Sequence, residues 1–169
     1  MSGRFRLESL SGQDRSGFAC GVAALDDYLH KRASQDQRRR VAACYLLVES
    51  ETSRPAGYYT LSAASVLLSD LPEATAKKLP RYPSVPVVRV GRLAVDARYH
   101  GQKLGSVLVF DAVKRAAQSG VGAFAVVVDA KDQNAAAFYG HHGFTPLDSA
   151  GLTLFLPIGE GLQQMLRGG

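Results

Sequence analysis

What this 169-residue chain lacks narrows the field before any motif is read. It has only two cysteines, Cys20 and Cys44, whose separation suits neither a zinc motif nor a thiol-redox pair, so both read as small buried hydrophobes. No apolar run approaches the roughly 18 residues of a membrane span. The opening stretch, MSGRFRLESLSGQDRSG, has no apolar core of the secretory type, and a cytoplasmic protein without membrane contact is expected. Internal repeats and low-complexity segments are missing. His141 and His142 have no further metal-ligating residues at a suitable spacing, and neighbours on a helix point about 100° apart, so no metal and no catalytic histidine is assigned. A Walker A loop is excluded because Lys103 is followed by Leu104 rather than by a hydroxyl, and a dinucleotide fingerprint because its three glycines are not at the required spacing.

What is present is a hydrophobic content of 46%, enough for a substantial core, and the length suits a single domain over residues 1–169. Twenty lysines and arginines against fifteen acids leave a net charge of +5, which favours an anionic partner such as nucleic acid or a phosphorylated ligand.

Alternation over Arg4 to Leu10 predicts a short first strand, and apolar spacing from Val22 to Arg40 predicts one long helix with Leu25, Leu29 and Ala33 inward. Its basic end, Arg38, Arg39 and Arg40, fits either a solvated helix terminus or a phosphate contact. Val41 to Glu49 and Ala56 to Ala64 predict an antiparallel pair. From Val66 to Pro86 a short helix near Leu71-Pro72-Glu73 is followed by Lys77, Lys78, Arg81 and three prolines. This reads as a charged, substrate-facing loop or a plain connection, with proline excluding central strand pairing.

Val87 to Val95 predicts a largely buried strand and Leu104 onward a helix, with His100-Gly101-Gln102-Lys103-Leu104-Gly105-Ser106 joining them. Glycines there permit a tight turn, and a helix N-terminus presents unpaired N–H groups and positive dipole charge to an anion. Taken alone, Gly101 and Gly105 fit a simple tight connection equally well. Ala123 to Asp129 predicts a buried strand parallel to Val87–Val95, because a helix joins the two. Asn134 to His142 predicts a short helix closed by Gly143, with Phe144 opening the last strands, Leu152 to Leu156 alternating and a tail beyond.

GRLAVD, the basic glycine-containing loop and helix, and then DAKDQNAAAFYGHHGF together resemble the GNAT acetyltransferase superfamily. The resemblance implies an α/β (α+β) GNAT fold, a mixed central sheet with splayed parallel strands flanked by helices, and acetyl-CoA as co-substrate. It implies that the backbone of Leu93, Ala94 and Val95 pairs with the acetyl-pantetheine arm. Main-chain donors from His100, Gly101, Gln102, Lys103, Leu104, Gly105 and Ser106 would grip the diphosphate, with Asn134 and Phe138 beside the cofactor. Two positions depart from the family pattern: His100 stands where arginine or glutamine is usual, and Lys103 replaces a glycine. Asn134 also fits the N-cap of its helix, and the two roles do not exclude one another. By the same resemblance Tyr139, just before the Gly-Phe turn, is the general acid for the departing thiolate, preferred over a core aromatic.

A wider stretch, FACGVAALDDYLHKRASQDQRRRVAACYLL with AGYYTLSAASV and KKLPRYPSVPVVRVGRLAVD, is similar to the acetyltransferase toxins of bacterial toxin-antitoxin modules. This implies N-acetylation of aminoacyl-tRNA, a translation block, a homodimer and a ribbon-helix-helix antitoxin. Arg38, Arg39, Arg40, Lys77, Lys78, Arg81, Arg89 and Arg92 are then candidates for tRNA phosphates, with pairing of Arg89 and Arg92 to Asp96 or Asp129 as the competing account. Two other functions fit the residues: a GNAT enzyme acting on a small amine or protein N-terminus, and a catalytically weak module that binds RNA or an antitoxin.

Overall fold

A computed structural model describes residues 3–160 and 163. It shows a mixed seven-stranded sheet flanked by helices, in the order β1-β2-β3-β4-β5-β7-β6. The strands are β1 (Phe5–Ser9), β2 (Ala43–Glu49), β3 (Pro55–Leu67), β4 (Ser84–Val95), β5 (Ala125–Asp129), β6 (Thr145–Pro146) and β7 (Thr153–Pro157). The helices are α1 (Ala23–Lys31), α2 (Ala33–Arg38), α3 (Glu73–Ala76), α4 (Leu104–Gln118) and α5 (Gln133–His141). The chain gathers into two compact units, Met1–Ser62 with Gly91–Asp111, and Ala63–Val90 with Ala112–Gly169. The expected tail beyond β7 falls, from Gly161 on, almost entirely outside the described residues.

In the first unit β1, β2 and β3 run antiparallel, with Phe5 opposite Glu49 and Tyr45 opposite Tyr59. A core forms where Phe18, Leu29, Cys44, Leu46, Tyr58 and Ala94 are sealed from water. Each such aliphatic side chain stabilises the fold by about 1.5–3 kcal/mol relative to exposure. The single long helix expected from Val22 to Arg40 is corrected to two, broken at Arg32 with φ −120° and ψ −27°. Packing explains the break. Gln37 donates to the Leu10 carbonyl and accepts from the Cys44 N–H, tying α2 to the strand ends. Periodicity carries no signal for a bend made without proline or glycine.

In the second unit β4 pairs in parallel with β5, from Val87 opposite Ala125 to Val90 opposite Val128, and β5 pairs antiparallel with β7. Ala125 to Val128 are all buried, as a strand covered on both faces requires. Val85, Val87, Val127 and Phe155 pack together with Leu71. Proline was expected to keep its passage out of the sheet, yet Pro86 lies within β4. It precedes the first paired residue, Val87, and its carbonyl still accepts from Phe124 N–H, so the missing donor costs no ladder bond to β5.

Candidate active site

β4 positions the first half of the site. Its ladder to β5 ends at Val90 while the strand continues to Val95. The N–H of Arg92 goes to the hydroxyl of Thr60 on β3 at 3.1 Å. The extended stretch Leu93-Ala94-Val95 predicted to face the pantetheine arm follows directly. Gly57 makes room beside it: a β-carbon there would lie 3.0 Å from the Ala94 carbonyl oxygen and 3.1 Å from Leu108.

Asp96 ends the strand and organises the turn, a role the sequence reading missed. Its carboxylate is 1% exposed. It accepts from Ala19 N–H at 3.0 Å, Arg98 N–H at 2.9 Å and the Arg98 guanidinium at 3.0 Å. Burial alone would raise its pKa, but these bonds and the Arg98 charge hold it below the usual carboxylate value. Asp96 therefore pairs with Arg98, not with Arg89 or Arg92. The Asp-Ala-Arg spacing, in which an aspartate caps the N–H two residues on, was the available signal.

The loop then bends through left-handed conformations at Gly101 (φ +83°) and Lys103 (φ +61°). Glycine adopts that region freely, whereas a side chain there costs roughly 1 kcal/mol or more. The departure from the family pattern at 103 thus keeps the glycine-like backbone and adds an exposed ammonium. Gly101, Gln102 and Lys103 are exposed, and the opening turn of α4 follows, where helix geometry leaves amides pointing outward. The chemistry of these donors fits a diphosphate. His100 is exposed too, but its ring turns back on the strand: Nε2–H donates to the Val95 carbonyl at 2.8 Å, bracing loop to strand. Arg4, also missed, donates to Gln102 Oε1 at 2.9 Å while ion-paired to Glu49 at 3.0 Å.

In the second unit α5 presents Tyr139, 8% exposed and packed edge-on against Phe138 and Phe144. Burial, and secondarily the Asp129 charge, pushes its phenol up to about 12. Gly143 (φ +92°) closes the helix as expected, Phe144 N–H returning to the Tyr139 carbonyl. Asn134 is not the N-cap: Asp132 is, accepting from Ala135 N–H at 2.8 Å, which leaves Asn134 exposed in the first turn. His141 is exposed, and His142 Nδ1–H donates to the Phe138 carbonyl.

The basic candidates separate. Arg38, Arg39 and Arg40 are exposed at the end of α2, and Arg92 lies over the Tyr28 ring, all in the first unit. In the second, Arg89 is ion-paired to Asp129 and Lys77 lies 3.9 Å from Glu73, while Lys78 and Arg81 are exposed. Arg81 borders a groove of about 640 Å³ with Leu67, Leu71, Ala76, Tyr82 and Pro83. Both cysteines are buried, their thiols pushed up to about 11 (Cys20) and 12 (Cys44) mainly by desolvation, which fits inert packing. Among the described residues no cluster of histidine, cysteine or acidic side chains could hold a metal ion, and no helix is long and apolar enough to cross a membrane.

The chain is similar to known proteins over most of its length. The tRNA-acetylating toxin of Mycobacterium tuberculosis (strain ATCC 25618 / H37Rv) is 36% identical over 147 residues, covering 85% of this chain and 86% of that protein. The structure of AtaT complexed with acetyl-methionyl-tRNAfMet superposes with a TM-score of 0.85 at 29% identity, covering 98% of this chain and 99% of that one. A tyrosine-to-phenylalanine mutant of the AtaT toxin, bound to the C-terminus of the antitoxin AtaR and acetyl-CoA, gives 0.80 at 26% identity, with 99% and 100% coverage. The model of the acetyltransferase (GNAT) family matches residues 15–144, from ahead of α1 through Tyr139 to Phe144, and the chain belongs to that family.

Proposed function

We propose that this protein is the toxin of a toxin-antitoxin pair and transfers the acetyl group of acetyl-CoA to the α-amino group of aminoacyl-tRNA, stopping translation. The observation that carries the reading is a likeness extending over nearly the whole chain to AtaT held with acetyl-methionyl-tRNAfMet, rather than over the cofactor motif alone. The reading includes a single catalytic domain working as a cytoplasmic homodimer, restrained by a ribbon-helix-helix antitoxin.

Acetyl-CoA supplies an activated thioester. Main-chain donors of Gly101 to Ser106 bind its diphosphate, with Lys103 adding charge, and the edge of Leu93 to Val95 orients the pantetheine arm. Asn134 and Phe138 flank the cofactor. Tyr139 keeps its proton until the sulfur departs as thiolate, then gives it up. The attacking nitrogen loses its own proton to solvent. An α-amino group of pKa about 7.7–8.0 is partly neutral at physiological pH, so no dedicated base is required. The exposed cations at the end of α2, with Lys77, Lys78, Arg81, Arg89 and Arg92, meet tRNA phosphates.

Incubation with labelled acetyl-CoA and total charged tRNA tests this: label should appear on aminoacyl ends. Label confined to free amines or protein N-termini would replace the reading with that of an ordinary GNAT enzyme. No transfer, with tight RNA binding, would make the protein a binding module.

A further inference from the structure

We propose that Arg92 receives a phosphodiester of the RNA substrate and that Tyr28 and Asp36 are the positioning residues that aim it. The proposal rests on the reading of the chain as an aminoacyl-tRNA acetyltransferase and names how α1 and α2 serve that site.

The Arg92 guanidinium carbon lies 3.6 Å from the centre of the Tyr28 ring. At that spacing an edge-on approach would drive a nitrogen into the ring, so the guanidinium lies face-on. Tyr28 is 3% exposed and cannot swing away. Its hydroxyl donates to Asp36 Oδ2 at 2.8 Å, and its ring stacks on Tyr58 at 6.4 Å and 14°. Tyr58 in turn donates to the Leu25 carbonyl at 2.7 Å. Arg92 is also fixed at its other end, by its N–H to Thr60. The side chain is thus held both at its backbone and at its tip.

Arg4, Arg6, Arg89 and Arg98 each have an acidic partner, whereas no ion pair joins Arg92 to a carboxylate among the described residues. A half-buried guanidinium above an aromatic cluster, its face occupied and its edge N–H groups left over, is arranged for an oxygen pair approaching in its plane. A phosphate fits better than a lone carboxylate because α2, which supplies Asp36, runs straight on into exposed Arg38, Arg39 and Arg40. A run of phosphates can engage those cations together with Arg92.

The test is filter binding of uncharged tRNA over roughly 50 to 200 mM salt, with thermal unfolding of each variant as a control. Arg92→Met should weaken binding about tenfold and lower the slope of log affinity against log salt by about 1. Arg92→Lys keeps the charge but has no plane to stack, and should recover less than half of that loss on the logarithmic scale. Tyr28→Leu should weaken binding with Arg92 intact, and Tyr28→Phe, which keeps the ring, should weaken it less. With charged tRNA the deficit should fall on KM rather than kcat. Unchanged affinity and slope in Arg92→Met, full recovery in Arg92→Lys, or a loss confined to binding of an acidic peptide would each overturn the proposal. If tRNA binds in an Arg92-dependent way but is never acetylated, the functional reading falls and this inference stands. If acetylation is robust and Arg92→Met matches wild type throughout, the reverse holds.

Discussion

The turn after β4 and the helix after β5 make an instructive pair. From Ala97 to Lys103 nearly every residue is exposed, the backbone twice enters the left-handed region, and order comes from buried Asp96 and from the bond of His100 to the Val95 carbonyl. From Gln133 to Phe144 the backbone is regular helix with an ordinary glycine stop, and the feature of interest is a side chain, Tyr139, enclosed by aromatic rings. Gripping a diphosphate asks for N–H groups pointing outward, which costs backbone strain and needs a support. Raising a phenol's pKa asks only for dry surroundings, which a helix packed on aromatics provides without strain.

The heaviest blow falls on the second region. Tyr139→Phe should lower kcat by about 10²-fold or more while calorimetry finds acetyl-CoA affinity nearly intact; undiminished turnover would reduce Tyr139 to a packing residue. Next comes the support of the first region. Asp96→Ala strands the Ala19 and Arg98 donors and should cost about 2–3 kcal/mol in denaturant unfolding. A cost near zero would mean the turn holds itself.

Lys103→Gly sharpens the contrast, since it separates conformation from charge at one position. Relief of the left-handed side chain should stabilise the fold by about 0.5–1 kcal/mol, and loss of the ammonium should weaken acetyl-CoA binding a few-fold at low salt. Weaker folding would show that φ +61° carries no strain. The smallest effect is an absence of change. With its phenol raised from 10.0 to about 12, Tyr139 stays protonated through the working range, so kcat should show no alkaline fall from this group below about pH 10. The sign for stability follows: folding favours the neutral phenol, so this contribution is full below pH 10 and is lost as the pH climbs towards 12. A pH–rate profile of wild type against Tyr139→Phe checks it.

Much of this was legible without coordinates. Continuous apolar runs gave β5 and the body of β4, helical spacing gave α4, and the Gly143 stop gave the end of α5, because each depends on hydrogen bonds and burial within a few residues. Family membership was legible as well, since the motif segments lie on those elements. Other features depended on partners remote in sequence. A boundary also escaped: Asp132 rather than Asn134 caps α5, a shift of two residues in a purely local choice.

By itself the sequence determined which segments become helix or strand, which loop is basic and glycine-bearing, and that an acetyl-CoA-type site was to be expected. Only the tertiary structure decided that the helix predicted through Arg32 divides there, that Asp96 reaches Ala19 across 77 residues, and that Arg92 comes to rest on Tyr28 rather than on an acid. The reason is range. Propensity and periodicity report forces acting within a turn or two of chain, whereas the partner of a charge is settled by whichever surface packing brings beside it.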